Sequence, residues 1–334
     1  MTLPRLREDE LVEQLRSLVE GTRHAAIRLG IGDDAAVWQP SRSHRSVVTT
    51  DALVEGVHFT RETMSFEDVG WRAAAANLSD LAAMGARPVL ATIALGVPAS
   101  AEAKELLDLY RGIAACAKME RLAIVGGDLT QAPVLTIAIT AIGEVRASNL
   151  KTRAGGRPGN VLATTGTLGA SRAGLDVALG SVVLKEEALR EEALRAHRRP
   201  RARVEEGRWF AASANVRAMM DCSDGLSTDL LRLCKASGVG ARIDEVPVAE
   251  AARAAAQALG EEPRAYALAG GEEFELIVAI ERRAFSHLAE RFRARFGRPL
   301  QRIGTLRQQP GVVLVENGEE KPIASTGWES LSGV

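Results

Sequence analysis

The chain has 334 residues, enough for about two domains that each bury a core. Lys+Arg number 42 against Asp+Glu 43, a net charge of −1, so no basic footprint argues for nucleic acid and any acidic site must be locally built. The three cysteines, Cys116, Cys222 and Cys234, form no CxxC, which argues against a disulfide framework and a zinc site. No apolar run reaches bilayer length and the charged start MTLPRLREDELVEQL lacks an apolar signal core, so no membrane partner is expected and a cytoplasmic location is.

Residues 8–20 are amphipathic and predict a helix. Residues 46–54 read as a strand that brings Thr49, Thr50 and Asp51 to its end. Ser65 to Asp68 resembles a capping box with Asp in place of Glu. It opens an Ala-rich helix from Phe66 to about Met84, with Asn77 and Asp80 on its later turns, and Gly85 and Pro88 stop it. Next come a strand over 89–97, a helix over 101–119, a short buried strand over 122–125 ending in Gly126-Gly127-Asp128, and a strand over 133–145.

The stretch 146–160, rich in Gly, Lys and Arg, predicts the boundary between a domain over 1–148 and a domain over 149–334. Beyond it, strands are expected over 161–165, up to Asp221, over 241–244 and over 275–280. Helices are expected over 185–197, 203–214 and 226–237. This alternation indicates an α/β protein of two domains. The charged run 184–203 reads as a solvated helical face.

Aspartates beside Gly, Ser or Thr recur: Gly32-Asp33-Asp34, Thr49-Thr50-Asp51, Asn77-Leu78-Ser79-Asp80, Gly126-Gly127-Asp128 and Asp221-Cys222-Ser223-Asp224-Gly225. Carboxylates and hydroxyls are hard oxygen ligands, suited to Mg²⁺ with retained waters and bound phosphates. One Asp-Gly pair is ordinarily only a turn. Several at turns after apolar runs point to a multi-metal phosphate site. ATP and a phosphorylated acceptor together carry on the order of six negative charges. Divalent cations would have to bridge them. Gly126 and Gly127 would let backbone N–H groups approach an oxyanion. Ser223 and Asp224, at the expected start of the helix over 226–237, would offer N–H groups to phosphate.

Other nucleotide motifs are missing. No GxxxxGK[ST], no kinase HRD or DFG set and no GxSxG elbow occurs. Gly30-Ile31-Gly32-Asp33-Asp34-Ala35 formally matches GxGxxA. Two aspartates stand where a pyrophosphate would rest, however, and Pro40 leaves no room for the helix.

The series GIGDDAAV, TTDALVEGVHF, NLSDLAAMGARP, GGDLT, MDCSDGLSTDL and AGGEEFEL resembles thiamine-monophosphate kinase, in the superfamily of aminoimidazole ribonucleotide synthetase, from about Gly30 to the C-terminal Gly-Trp pair. The resemblance implies direct transfer of the ATP γ-phosphate to thiamine monophosphate, assisted by several Mg²⁺, with ATP as co-substrate. It also implies a homodimer whose N-terminal α/β domains, which bind ATP and Mg²⁺, pair their sheets into a shared barrel. It assigns Asp34, Thr49, Thr50, Asp51, Asp80, Asp128, Asp221 and Asp224 to magnesium, with Asp51, Asp80, Asp128 and Asp221 at the catalytic centre. Tyr110, Gly127, Asp128, Arg153 and Ser223 would lie on ATP, and His58, Glu272 and Trp328 on the thiamine moiety. The usual GGEDYEL is GGEEFEL here, which leaves the roles of Glu273 and Phe274 unassigned.

Each assignment has a plainer alternative. Tyr110 at helical spacing from Leu106 and Ile113 also fits a core, Arg153 beside Lys151 a solvated linker, and Trp328 a staple onto the core. His58 alone reads as a half-buried strand histidine, whereas beside the Asp51 segment it reads as acceptor-facing. An aminoimidazole ribonucleotide synthetase-like enzyme and a non-catalytic Mg²⁺ or nucleotide binder remain the competing functions. A selenophosphate synthetase would want an N-terminal reactive Cys, and a hydrogenase maturation factor a C-terminal Cys where this chain has Ser-Gly-Val.

Overall fold

The computed structural model describes residues 8–31 and 35–327. It divides into two compact units, one holding residues up to Leu81 with Ala86–Ala147, the other Ala82–Gly85 with Ser148 onward. Both mix helices and sheet, so the protein is a two-domain α/β chain.

The first unit runs α1 (Glu8–Val19), β1 (Ile27–Leu29), β2 (Val37–Trp38), β3 (His44–Val54), α2 (Phe66–Ala83), β4 (Arg87–Val97), α3 (Ala103–Met119), β5 (Ala123–Gln131) and β6 (Thr136–Arg146). Four strands form one sheet in the order β3-β6-β4-β5, antiparallel except for the parallel β4–β5 pair bridged by α3. Alternation decides its faces. Leu53, Ile93, Leu95, Ile137, Ile139 and Ala141 are buried on one side. On the other, Thr50, Ala52, Thr92 and Ala94 are exposed and Val48 is 62% exposed.

The helix start at Ser65 is half as expected. Its hydroxyl accepts from the Asp68 N–H at 3.2 Å, but the Asp68 carboxylate takes the Ser65 hydroxyl (2.7 Å). The α2 C-terminus closes as expected on Gly85 at φ +69, whose N–H reaches Ala82 O while Ala86 N–H reaches Leu81 O. α2 and α3 cross on reciprocal glycines. A Cβ on Gly70 would lie 1.9 Å from Leu109 O, and one on Gly112 would lie 1.8 Å from Glu67 O. No larger residue fits either place.

The second unit runs β7 (Val161–Thr164), α4 (Ala170–Ala178), α5 (Glu187–Arg198), α6 (Val204–Ala211), β8 (Val216–Cys222), α7 (Leu226–Ser237), β9 (Gly240–Ile243), α8 (Glu250–Leu259), α9 (Pro263–Ala269), β10 (Glu275–Ile280), α10 (Phe285–Phe296), β11 (Gln301–Arg307), β12 (Gly311–Glu316) and β13 (Glu319–Pro322). Its seven-stranded sheet has the order β13-β12-β9-β11-β7-β10-β8, and β10, between β7 and β8, is buried throughout. One apolar cluster joins β7, β8 and β10 to α7 and α8, with Leu226, Leu230 and Leu233 of α7 fully buried.

Candidate active site

Two expected motifs meet in the first unit. Thr49 and Asp51 lie on the buried-side face of β3, two residues apart, and the Thr49 hydroxyl donates to Asp80 Oδ2 on α2. Asp80 follows the Ala-rich stripe that α2 buries, so the packing that seats the helix also brings its carboxylate to β3. One turn earlier Asn77 is fully buried. Its Nδ2 donates to Ala73 O at 3.1 Å while its Oδ1 has no partner among the described residues. Thr50, expected beside them, is on the opposite face, where its hydroxyl donates to Ile139 O and accepts from Thr140.

Gly126-Gly127-Asp128 does not follow a strand, as expected, but lies inside β5. In register, Gly127 pairs with Ile93 and Asp128 with Ala94, while Asp51 pairs with Ile139. A Cβ on Gly127 would sit 2.0 Å from Ile93 O, so close strand approach alone demands glycine there. Asp51 and Asp128 thus occupy the two edge strands of a four-stranded sheet, about three strand spacings or 14 Å apart. The acids therefore do not converge. Among the described residues no group of three or more His, Cys, Asp or Glu side chains is placed to hold a metal. The donors are instead spread over both edges and include hydroxyls. Asp34 and Trp328 lie outside the described residues.

His58 is not a strand residue. β3 ends at Val54 and His58 sits in the following turn, its Nδ1 accepting from Val54 N–H at 3.1 Å. Burial, then the Arg72 guanidinium, lowers its pKa, so the imidazole is held neutral. Arg72 is 2% exposed and burial brings it down to about 9. Tyr110 on α3 is 6% exposed and burial raises its phenol to about 12. Its ring is part of the core and offers little open face for a base. A cavity of about 320 Å³ beside α1, lined by Arg16, Glu20, Arg23, His24 and Ile27 among others, contains none of the expected site residues.

In the second unit Asp221 is buried on β8 and Ser223 and Asp224 form the bend before α7. Here the phosphate expectation needs correction. The Ser223 and Asp224 N–H groups both donate to Asp229 Oδ2 at 3.0 Å, so that carboxylate already fills the helix entrance. Asp229 is fully buried, which raises its pKa to about 6, and Arg232 bonds both its Oδ1 (3.1 Å) and the Asp224 carboxylate. Asp229 sits within the MDCSDGLSTDL motif. The signal was its place in the first turn after Gly225, where a carboxylate can reach back over the helix start.

Glu272 is half-buried at φ +59 and its N–H donates to Ser223 O at 2.6 Å. Its neighbour Glu273, unassigned by sequence, is buried. Glu273 Oε1 accepts from Gly169 N–H (2.7 Å) and Ser171 N–H (3.1 Å), and burial raises its pKa to about 8. Arg153 is exposed, and its backbone carbonyl accepts from the Ser237 hydroxyl at 2.6 Å.

Two family descriptions match this arrangement: AIR synthase related protein, N-terminal domain, over residues 32–145, and its C-terminal domain over 157–316. The thiamine-monophosphate kinase of Synechococcus elongatus is 38% identical over 288 residues, covering 85% of each chain. The chain belongs to the thiamine-monophosphate kinase family. The Bacillus subtilis thiamine-monophosphate kinase is 31% identical over 86% of this chain and 87% of its own. The Stenotrophomonas maltophilia thiamine-monophosphate kinase crystal structure superposes with a TM-score of 0.82 at 34% identity, covering 95% of this chain and 98% of that one. AaThiL complexed with AMPPCP and TMP gives 0.77 at 29% identity over 99% of both chains. E. coli HypE, at 21% identity and a TM-score of 0.77, shares the fold alone. Among the described residues no helix is long and apolar enough to cross a membrane.

Proposed function

We propose that this thiamine-phosphate kinase family member transfers the γ-phosphoryl group of ATP to thiamine monophosphate, giving thiamine diphosphate and ADP. The observation that carries the reading is the Thr49–Asp80 hydrogen bond, which joins the TTD and NLSD motifs on one face of the first unit's sheet. The names of relatives from several bacteria, and a solved neighbour complexed with AMPPCP and TMP, support donor and acceptor.

The donor set fits magnesium. Thr49, Asp51, Asp80 and Asp128 offer only hard oxygens, and no soft ligand lies in these motifs. In this reading they hold Mg²⁺ in the first unit with Asp34, Thr50 being on the other face, while Asp221 and Asp224 do so in the second. When bound, the ions neutralise charge on the triphosphate and on the acceptor phosphate. The protein's own work is then positioning. Gly127 admits a close backbone, and the Ser223 hydroxyl, not its committed N–H, reaches ATP with Arg153. Neutral His58, Glu272 and Trp328 take the thiamine moiety. Two bound substrates and acids held for metal favour direct in-line transfer with no phosphoenzyme.

The homodimer belongs to the same reading. On the exposed face of this sheet Val48, Thr50, Ala52, Thr92 and Ala94 are apolar or small, which suits a second copy of the same sheet. The test is ADP release with ATP and Mg²⁺ against a panel of phosphorylated acceptors, alongside labelling with γ-labelled ATP alone. Turnover only with thiamine monophosphate and no label on the protein is expected. Turnover with another phosphorylated acceptor but not thiamine monophosphate, or no ADP at all, would overturn the reading.

A further inference from the structure

Among the described residues, four non-glycine residues have positive φ: Arg121, Glu272, Phe274 and Asn317. Two are ordinary. Arg121 closes the C-terminus of α3, with Leu122 N–H on Ala117 O, and Asn317 precedes Gly318 in the β12–β13 hairpin. Glu272 and Phe274 are different, because they flank a single residue and lead into β10, which is buried throughout. A backbone that visits the left-handed region twice in three residues persists only where its surroundings over-determine it.

Three anchors do so. Glu272 N–H donates to Ser223 O and Phe274 N–H to Cys222 O (2.9 Å), which ties the segment to the Asp221–Asp224 bend. The third anchor is the Glu273 side chain, which crosses to the other side and accepts the Gly169 and Ser171 N–H groups at the start of α4. Gly169 itself is left-handed at φ +91, and a Cβ on it would lie 2.8 Å from Ala252 Cβ, so the α4 entrance cannot shift to follow a wandering loop. We propose that Glu273 is a positioning residue for the acceptor: by bolting residues 270–274 to the α4 N-terminus, it fixes the left-handed backbone that aims the Glu272 carboxylate. This rests on the reading of Glu272 as an acceptor contact.

The test is a double-mutant cycle of Glu273→Ala and Glu272→Gln, with Glu273→Gln as the conservative variant, each assayed for both KM values and kcat. Glu273→Ala should raise KM for thiamine monophosphate about tenfold and leave KM for ATP within about twofold. Glu273→Gln keeps an acceptor oxygen for both N–H groups and should restore wild-type KM. On the Glu272→Gln background, Glu273→Ala should add less than about twofold, because its effect passes through Glu272. Equal losses in both KM values, no recovery with Gln, or full additivity would overturn the inference and leave Glu273 a helix cap. If Glu272→Gln alone leaves the acceptor KM unchanged, the underlying site reading fails first. Should Glu273→Ala not fold, Glu273→Gln and the Ser171→Pro variant, which deletes one N–H partner, carry the same comparison.

Discussion

In the first unit Thr50 and Asp128 stand exposed on an open β-sheet, and Thr49 and Asp80 share one hydrogen bond. Around the Asp221–Asp224 bend of the second, Asp229, Glu273 and Glu275 are buried and spend their oxygens on backbone N–H groups, Arg232, Thr165 and Arg203. The difference teaches which carboxylates are available. An exposed acid such as Asp128 can take up a cation from water at little cost, while Asp229, Glu273 and Glu275 are committed to holding the surrounding structure. Rows of similar Asp-containing motifs therefore hide two different jobs.

The sharpest way to break this comparison is Asp51→Asn. With half-buried Asp51 as metal ligand beside Thr49, kcat at saturating Mg²⁺ should fall more than tenfold, above about 1.4 kcal/mol in the transition state, with the melting temperature nearly unchanged. Retention of a tenth of the activity would remove Asp51 from the centre. Gly112→Ala attacks the scaffold instead. Its Cβ would press on Glu67 O, so stability should drop by about 1–3 kcal/mol in denaturant titrations, and α2 with Asp80 should loosen in hydrogen exchange. No change in either would mean the helices can part freely.

Glu272→Gln and Trp328→Ala address the acceptor, each expected to raise KM for thiamine monophosphate about tenfold, or about 1.4 kcal/mol, with KM for ATP little changed. A loss confined to ATP would contradict the assignment. The committed acids of the second unit predict a pH signature. Glu273 has a folded pKa of about 8, above its ordinary 4.5, so its contribution is full below about pH 4.5 and lost as pH rises towards 8. Between pH 5 and 8 wild type should therefore lose stability relative to Glu273→Gln by up to about 1.4 kcal/mol per pH unit. Parallel stability curves would show that Glu273 is ionised throughout. Last, Val48→Glu on the open face should convert a dimer to a monomer in light scattering while each subunit keeps its fold; an unchanged mass would place the interface elsewhere.

Legibility in the sequence followed the strength of local signals. The helix over 226–237 and the strand over 275–280 carry a capping glycine or an uninterrupted apolar run, and both coincide with α7 and β10. The strand before Gly126-Gly127-Asp128 was read too short, because two glycines suggest a turn when nothing shows that the neighbouring strand passes too close for a Cβ. α8 and α9 had no expectation, since α8 buries Ala251, Ala252, Ala255 and Ala256, whose small side chains give a faint periodicity. At the candidate site, the motifs of Thr49 and Asp80 were legible and the fold brings these two side chains together. That Asp229 would occupy the N–H groups of Ser223 and Asp224 depends on a helix entrance angle that spacing alone does not encode.

The pairing of β3 with β6 has a consequence for synthesis. Thr50 and Thr140 face each other across a separation of 90 residues. At roughly 5–20 residues per second on the ribosome, the strand bearing Asp51 waits several seconds for its partner. During that interval its backbone N–H and C=O groups lie unclaimed, and chaperones or a neighbouring nascent chain can engage it before its own sheet does.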